Sequence, residues 1–143
     1  MTPEQSVIRW SRTVKGQPFA WGRTDCAMLT LAALDVLTGT AHAEAYTGLW
    51  DSEATALAHF ATETPSQVLQ GFGAAEVPPA FVVLGDVITV PADPWPEQLH
   101  FVLGRYSLCS DVERGVALLR TRSLTAQPGA RVWRVAECLK PYP

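Results

Sequence analysis

Hydrophobic and polar positions divide the chain into a helical first half and a strand-rich second half. Before about residue 70, apolar residues recur at the three-to-four-residue spacing of amphipathic helices. After Pro78 and Pro79, they fall into short β-branched or aromatic runs separated by Gly, Pro and polar residues. Helices followed by strands predict a single α+β domain over residues 1–143, with one hydrophobic core.

Three of the four predicted helices show clear start signals. The first, over about residues 2–16, opens with a Thr N-cap, a Pro at the first helical position and a Gln at the reciprocal capping-box position. Residues 64–67 repeat this pattern for a short fourth helix, and a third helix is expected to start at Ser52. These helices precede every predicted strand.

The second predicted helix runs from about Cys26 to Leu37 and is closed by Gly39. Asp25 or Thr24 can cap its N-terminus. Most of its surface is apolar, so we expect it to be central and largely buried.

The predicted strands form an antiparallel sheet against which this central helix packs. Between the first two strands, residues 91–96 contain three prolines and predict a rigid loop. The strands are expected at residues 86–90, 99–106, 116–120 and 132–135.

Charge and hydropathy exclude several classes of partner. The net charge is −3, from 11 basic and 14 acidic residues, without a run of Lys or Arg, so nucleic acid is not an expected partner. The longest mostly apolar stretch is far shorter than the roughly 20 residues that span a bilayer, so no membrane insertion is expected. The first residues lack the basic start and apolar run of a secretory signal, which predicts synthesis and folding in the cytoplasm.

The three cysteines, Cys26, Cys109 and Cys138, are widely spaced and odd in number. Without a Cys-x-x-Cys pair, they favour neither a disulfide framework nor a zinc site, and no metal is expected. At least one thiol is free. The commonest role of such a residue is that of a small buried hydrophobe, and catalysis is the alternative.

Cys26 and His100 are the candidate catalytic pair. Cys26 lies at the start of the central helix, where unpaired N–H groups and the helix dipole favour a thiolate and stabilise an oxyanion. His100 begins a predicted strand, from which an imidazole can project over the end of a helix packed on the sheet. His42 and His59 lie in a loop and on a surface helix, and are weaker candidates.

Several segments resemble the NlpC-type cell-wall peptidases. They are the Phe-Ala-Trp-Gly sequence at 19–22, the Asp-Cys pair at 25–26, the Gly-Asp pair at 85–86 and the His-led strand at 100–104. The shorter form Pro-Phe-x-Trp-Gly-x-x-Asp-Cys, at 18–26, is similar to small proteins from tail gene clusters of bacteriophages and gene transfer agents. Only the cysteine segment is specific.

This resemblance implies a papain-like fold, no cofactor, and attack of the Cys26 thiolate on an amide of peptidoglycan with His100 as base. It places Phe19, Trp21 and Asp25 beside the nucleophile, in contact with substrate. Peptidoglycan stem peptides and other tail-tip proteins are the implied partners. A tail-tip enzyme made in the host cytoplasm would reach the cell wall as part of the virion.

Two positions depart from the family pattern. Phe19 replaces the usual tyrosine, whose hydroxyl approaches the nucleophile. The residue that orients the histidine is expected in the following strand, where Ser110 and Asp111 are the candidates; because neighbouring strand residues point to opposite faces, at most one can serve.

Three functions therefore remain open. The first is a tail-tip peptidase or amidase that opens peptidoglycan during genome delivery. The second is a catalytically weak or inactive papain-like scaffold that docks to neighbouring tail proteins. A lipid-directed acyltransferase or thioesterase is the third, although its relatives often place the histidine before the cysteine. Trp21, Trp50 and Trp95, in segments predicted as loops, suit a substrate groove and a protein interface equally.

Overall fold

The computed structural model describes residues 1–139 and shows an α+β fold. Within these residues a six-stranded antiparallel sheet has the strand order β1-β6-β2-β3-β4-β5. The helices are α1 Pro3–Val14, α2 Cys26–Thr38, α3 Glu53–Thr62, α4 Pro65–Gly71 and α5 Thr121–Thr125. The strands are β1 Ala75–Val77, β2 Val87–Ala92, β3 Trp95–Val102, β4 Tyr106–Asp111, β5 Gly115–Arg120 and β6 Arg131–Arg134.

The predicted helix starts are confirmed. Capping boxes open α1 at Thr2 and α4 at Thr64, and Ser52 caps α3. Asp25 caps α2, and Gly39 ends it in the left-handed conformation, with φ of +71°. Each side-chain cap satisfies a backbone N–H that the first helical turn leaves without a partner.

Helix α2 is the central helix, as its composition predicts. Seven of its side chains are buried: Ala27, Met28, Leu29, Thr30, Leu31, Ala33 and Leu34. All of these except Thr30 share one hydrophobic core with Leu99 and Phe101 of β3, Leu108 of β4 and Val116 of β5. The helix therefore packs on one face of the sheet, across its middle strands.

The opposite face of the sheet has a smaller apolar cluster that contains Ile88, Val102 and Val132. Leu124 of the short helix α5 packs on it. In β3, Leu99 and Phe101 thus belong to the α2 face, whereas Val102 belongs to the α5 face. Because successive strand residues point to opposite faces, this assignment fixes the face to which each neighbouring side chain of β3 points.

The strand boundaries differ from the prediction in two places. The expected loop at 91–96 is a tight connection, because β2 extends to Ala92 and β3 begins at Trp95. The expected strand at 99–106 breaks after Val102, where Gly104, with φ of +129°, lies in the turn to β4. Strand β1 and helix α5 were not predicted, because they are three and five residues long and too short for a periodic signal.

Candidate functional site

The N-terminus of α2 lies where two strands of the sheet separate. Strands β3 and β4 pair at Phe101 with Leu108 and at Val102 with Ser107, and this pairing does not continue to Leu99. Beyond it, the Ser110 hydroxyl donates to the backbone carbonyl of Thr24, just before α2. The start of the helix is thereby held against the parted ends of both strands.

Cys26 is the first residue of α2 and is partly buried in this gap. Burial raises the pKa of its thiol to about 12, although hydrogen bonding from the Leu99 backbone opposes the shift; the charge of Asp25 raises the pKa further. The lowering effect expected from the helix N-terminus is thus outweighed by desolvation. Burial of the Cys26 side chain therefore favours the protonated thiol over the thiolate that its place at the helix N-terminus predicts.

The Asp25 carboxylate holds the surrounding loops together. One of its oxygens accepts the backbone N–H of Met28 at 2.9 Å, and the other accepts the backbone N–H of Gly22 at 2.6 Å and the indole N–H of Trp50 at 2.8 Å. Asp25 and Trp50 are both buried. Asp25 is therefore a structural cap with its acceptors occupied, as expected for the position before the cysteine.

A solvent-open pocket lies over Cys26. The predicted contacts Phe19 and Trp21 form one wall, packed edge to face with ring centroids 4.7 Å apart. Trp95 continues this wall, with its ring centroid 5.3 Å from that of Trp21. The remaining lining is contributed by Asp25, Cys26, Ala27, Trp50, Phe60, Pro65, Glu97, Gln98, Leu99, Ser110, Asp111 and Val112.

His100 does not line this pocket. It lies in β3 between Leu99 and Phe101, which face α2, so its side chain points to the α5 face of the sheet. There it lines a second depression together with Cys109, Leu119 and Leu124, and this depression shares Gln98, Ser110 and Asp111 with the pocket over Cys26. The expected pairing of Cys26 with His100 is therefore not formed. Cys26 lies on the side of the sheet that packs on α2, whereas the His100 side chain points to the α5 face.

The imidazole of His100 is also poorly suited to act as a base. It is only 5% exposed, and burial lowers its pKa to about 4, with hydrogen bonding to the Leu108 backbone opposing the shift and the charge of Arg114 adding to it. Its Nδ1 atom is buried without a hydrogen-bond partner among the described residues. This histidine is therefore neutral at physiological pH.

Neither candidate for orienting the histidine does so. The Ser110 hydroxyl donates to the Thr24 carbonyl on the α2 face. Asp111 binds the backbone N–H groups of Glu113 and Arg114, and its other carboxylate oxygen accepts the Arg114 guanidinium N–H at 2.7 Å. Ser110 and Asp111 do line the pocket beside Cys26, so the structure gathers every predicted site residue there except His100.

Glu97 and Leu99 are pocket residues that the sequence did not mark as functional, whereas Trp95 was expected to suit a groove or an interface. Glu97 and Leu99 share the α2 face of β3, where the prediction had expected an inward-pointing His100. The sequence did contain a signal for this, because Leu99 and Phe101 are both apolar and are expected to face the core. Since strand side chains alternate between faces, His100 between them must point to the other face. The Glu97 carboxylate accepts hydrogen bonds from the backbone N–H and the hydroxyl of Ser66.

The fold and the site define a small α+β domain whose central helix opens with a cysteine at the base of an aromatic-walled pocket. A family model described as a domain of unknown function, DUF6950, matches residues 3–135, and the chain belongs to this family. No curated protein matches the chain. Within residues 1–139 there is no cluster of three or more His, Cys, Asp and Glu side chains arranged to hold a metal ion, and no helix is long and apolar enough to cross a membrane.

Proposed function

We propose that this chain is a docking module with a papain-like scaffold, which binds a segment of a neighbouring tail-tip protein in the pocket over Cys26 instead of hydrolysing peptidoglycan. The papain-like assignment is supported by a cysteine at the first position of a buried helix that packs on an antiparallel sheet. The tail setting rests on the resemblance of residues 18–26 to small tail proteins.

The observation that carries the proposal is the position of His100. Cysteine hydrolysis needs a base within hydrogen-bond reach of the thiol, and here the imidazole belongs to the opposite face of the sheet. The apolar side chain of Leu99 lies on the face where the base is required. With its pKa near 12, the thiol stays protonated and forms part of an apolar pocket floor.

The pocket itself has the composition of a protein-binding site. Its walls combine the aromatic rings of Phe19, Trp21 and Trp95, and aromatic anchors dominate the binding energy of many interfaces. A papain-like groove evolved for a peptide substrate is also a suitable cleft for an extended segment that is held and not cut.

Alkylation of Cys26 across pH 5 to 10 tests the absence of a catalytic pair. A double variant, Cys109→Ser with Cys138→Ser, leaves Cys26 as the single thiol. We expect slow labelling that rises only above the ordinary thiol pKa of about 8.5, with the same profile after His100→Ala. Rapid labelling of Cys26 already at pH 6, together with its loss in the His100→Ala variant, would overturn the proposal.

A second experiment tests hydrolysis and docking directly. Purified peptidoglycan is expected to release no new amino groups with the wild-type chain or with Cys26→Ala. Co-expression with the proteins encoded by the neighbouring genes is expected to give a complex that survives Cys26→Ala and is lost with Trp95→Ala. Release of amino groups that depends on Cys26 would instead establish the peptidase.

A further inference from the structure

The pocket over Cys26 has a marked charge asymmetry. Three carboxylates, from Asp25, Glu97 and Asp111, contribute to its lining. None of the lining side chains within residues 1–139 belongs to Lys, Arg or His. A pocket with aromatic walls and only acidic charge is complementary to a cation carried on an apolar stem.

Glu97 is the carboxylate whose charge is left for a ligand. Asp25 is buried and fully engaged as the helix cap, and Asp111 is paired with Arg114 at 2.7 Å. Glu97, in contrast, accepts hydrogen bonds from the two neutral donors of Ser66. In the part of the chain that the structure describes, no ion pair joins Glu97 to a basic side chain.

The aromatic wall supplies the second element of such a site. The Trp21 and Trp95 rings lie 5.3 Å apart with an interplanar angle of 35°, which places two indole rings along one side of the pocket. A Lys or Arg head group within about 6 Å of an indole face is attracted by the ring quadrupole, while its methylene stem buries against the same rings.

The N-terminus of α2 would by itself repel a cation, because its dipole is positive at this end. The Asp25 carboxylate caps the helix at this point and offsets that partial charge. The protonated Cys26 thiol adds no charge of its own. The field in the pocket is therefore set mainly by Glu97, because Arg114 offsets the charge of Asp111.

We propose that this pocket receives a Lys or Arg side chain of the partner polypeptide, which lies against Trp21 and Trp95 with its charge directed to Glu97. The inference rests on the proposed docking function and names the chemistry of the residue that docks. It makes Glu97 a specificity-determining residue of the module.

Blocked pentapeptides, acetyl-Gly-Gly-X-Gly-Gly-amide with X as Lys, Arg or norleucine, probe the site in the full chain. The readout is the change in indole N–H chemical shifts of Trp21 and Trp95 during titration at low salt. We expect the Lys and Arg peptides to bind about tenfold more tightly than the norleucine peptide, with the difference reduced as salt screens the charge.

Glu97→Gln keeps an oxygen acceptor and a polar group for Ser66 and removes only the charge, so it should abolish the preference for the cation. Glu113→Gln is the matched control, because Glu113 is an exposed carboxylate outside the pocket and its loss should preserve the preference. Equal binding of the Lys and norleucine peptides to the wild-type chain would overturn the inference and leave an apolar docking pocket. Binding of none of the peptides would overturn it as well, whereas the docking function itself fails on Cys26-dependent hydrolysis, on a His100-dependent thiolate or on the absence of a complex after co-expression.

Discussion

The indole N–H of Trp50 donates to the Asp25 carboxylate at 2.8 Å, and this bond joins the loop before α3 to the N-terminus of α2. Both side chains are only 3% exposed. The same carboxylate caps α2 and accepts the Gly22 N–H, so one buried charge orders three segments around the pocket. Buried charges persist when their hydrogen-bonding capacity is filled, and three donors achieve this here.

Asp25→Asn is expected to destabilise the fold by about 3 kcal/mol. If the amide oxygen keeps the hydrogen bond to Met28, the amide NH2 group faces the N–H donors of Gly22 and Trp50, and both donors lose their acceptor. Trp50→Phe removes one donor and should cost less, about 2 kcal/mol. Urea unfolding measures both. Asp51→Asn, at an exposed neighbouring position, should remain within about 0.5 kcal/mol of the wild type; equal stability of Asp25→Asn would show that the carboxylate network contributes nothing.

The local signals in the sequence were sufficient for the α+β class, the helix starts and the buried α2, because caps, prolines and apolar spacing act within a few residues. The family resemblance of residues 18–26, in contrast, was needed to place Phe19, Trp21 and Asp25 beside Cys26. The side of the sheet on which His100 lies was missed, although the apolar residues Leu99 and Phe101 on either side of it mark the face that packs on α2.

Pairings between distant segments could not be read from the sequence in the same way. Glu97 reaches Ser66 across 31 positions, and Trp50 reaches Asp25 across 25. No local pattern marks such partners, because either side chain alone is ordinary for an exposed loop or a strand end.

Gly22 of the Phe-Ala-Trp-Gly segment is required by a close approach of the backbone. Its φ is +77°, and a Cβ at this position would lie 2.4 Å from the Trp50 carbonyl oxygen. Gly22→Ala is therefore expected to lower the free energy of unfolding by more than about 2 kcal/mol, from left-handed strain together with a clash that side-chain rotation cannot relieve.

Gly48→Ala separates these two effects. Gly48 has a similar φ of +83°, and a Cβ added there would meet no atom within 4 Å, so this variant measures the cost of the backbone conformation alone, about 1 kcal/mol. Thermal and urea unfolding of the two variants give the comparison. Equal losses in both would mean that the loop at 22 moves away from Trp50 at little cost.

The buried imidazole of His100 makes stability depend on pH. Its pKa is about 4 in the folded chain, because burial disfavours the imidazolium, and near 6.5 in the unfolded chain. Between these values the unfolded state binds a proton that the folded state does not. This contribution to stability is therefore complete above about pH 6.5 and is lost as the pH falls through 4.

His100→Leu should remove this dependence. From pH 7 to pH 4.5 the wild type is expected to lose about 2 kcal/mol relative to the variant, measured by urea unfolding at each pH. The two proteins have the same carboxylates and the same Arg114. The difference between their stabilities at each pH therefore reports the titration of His100 and not that of Asp111, which lies in the same depression. Parallel stability profiles would show that the folded chain admits an imidazolium at this position. The imidazole pKa measured by NMR would then lie near 6.5 rather than 4. A histidine that takes up a proton near neutral pH would remove the pKa argument against a base at residue 100. The remaining argument would be the position of His100 on the α5 face of the sheet.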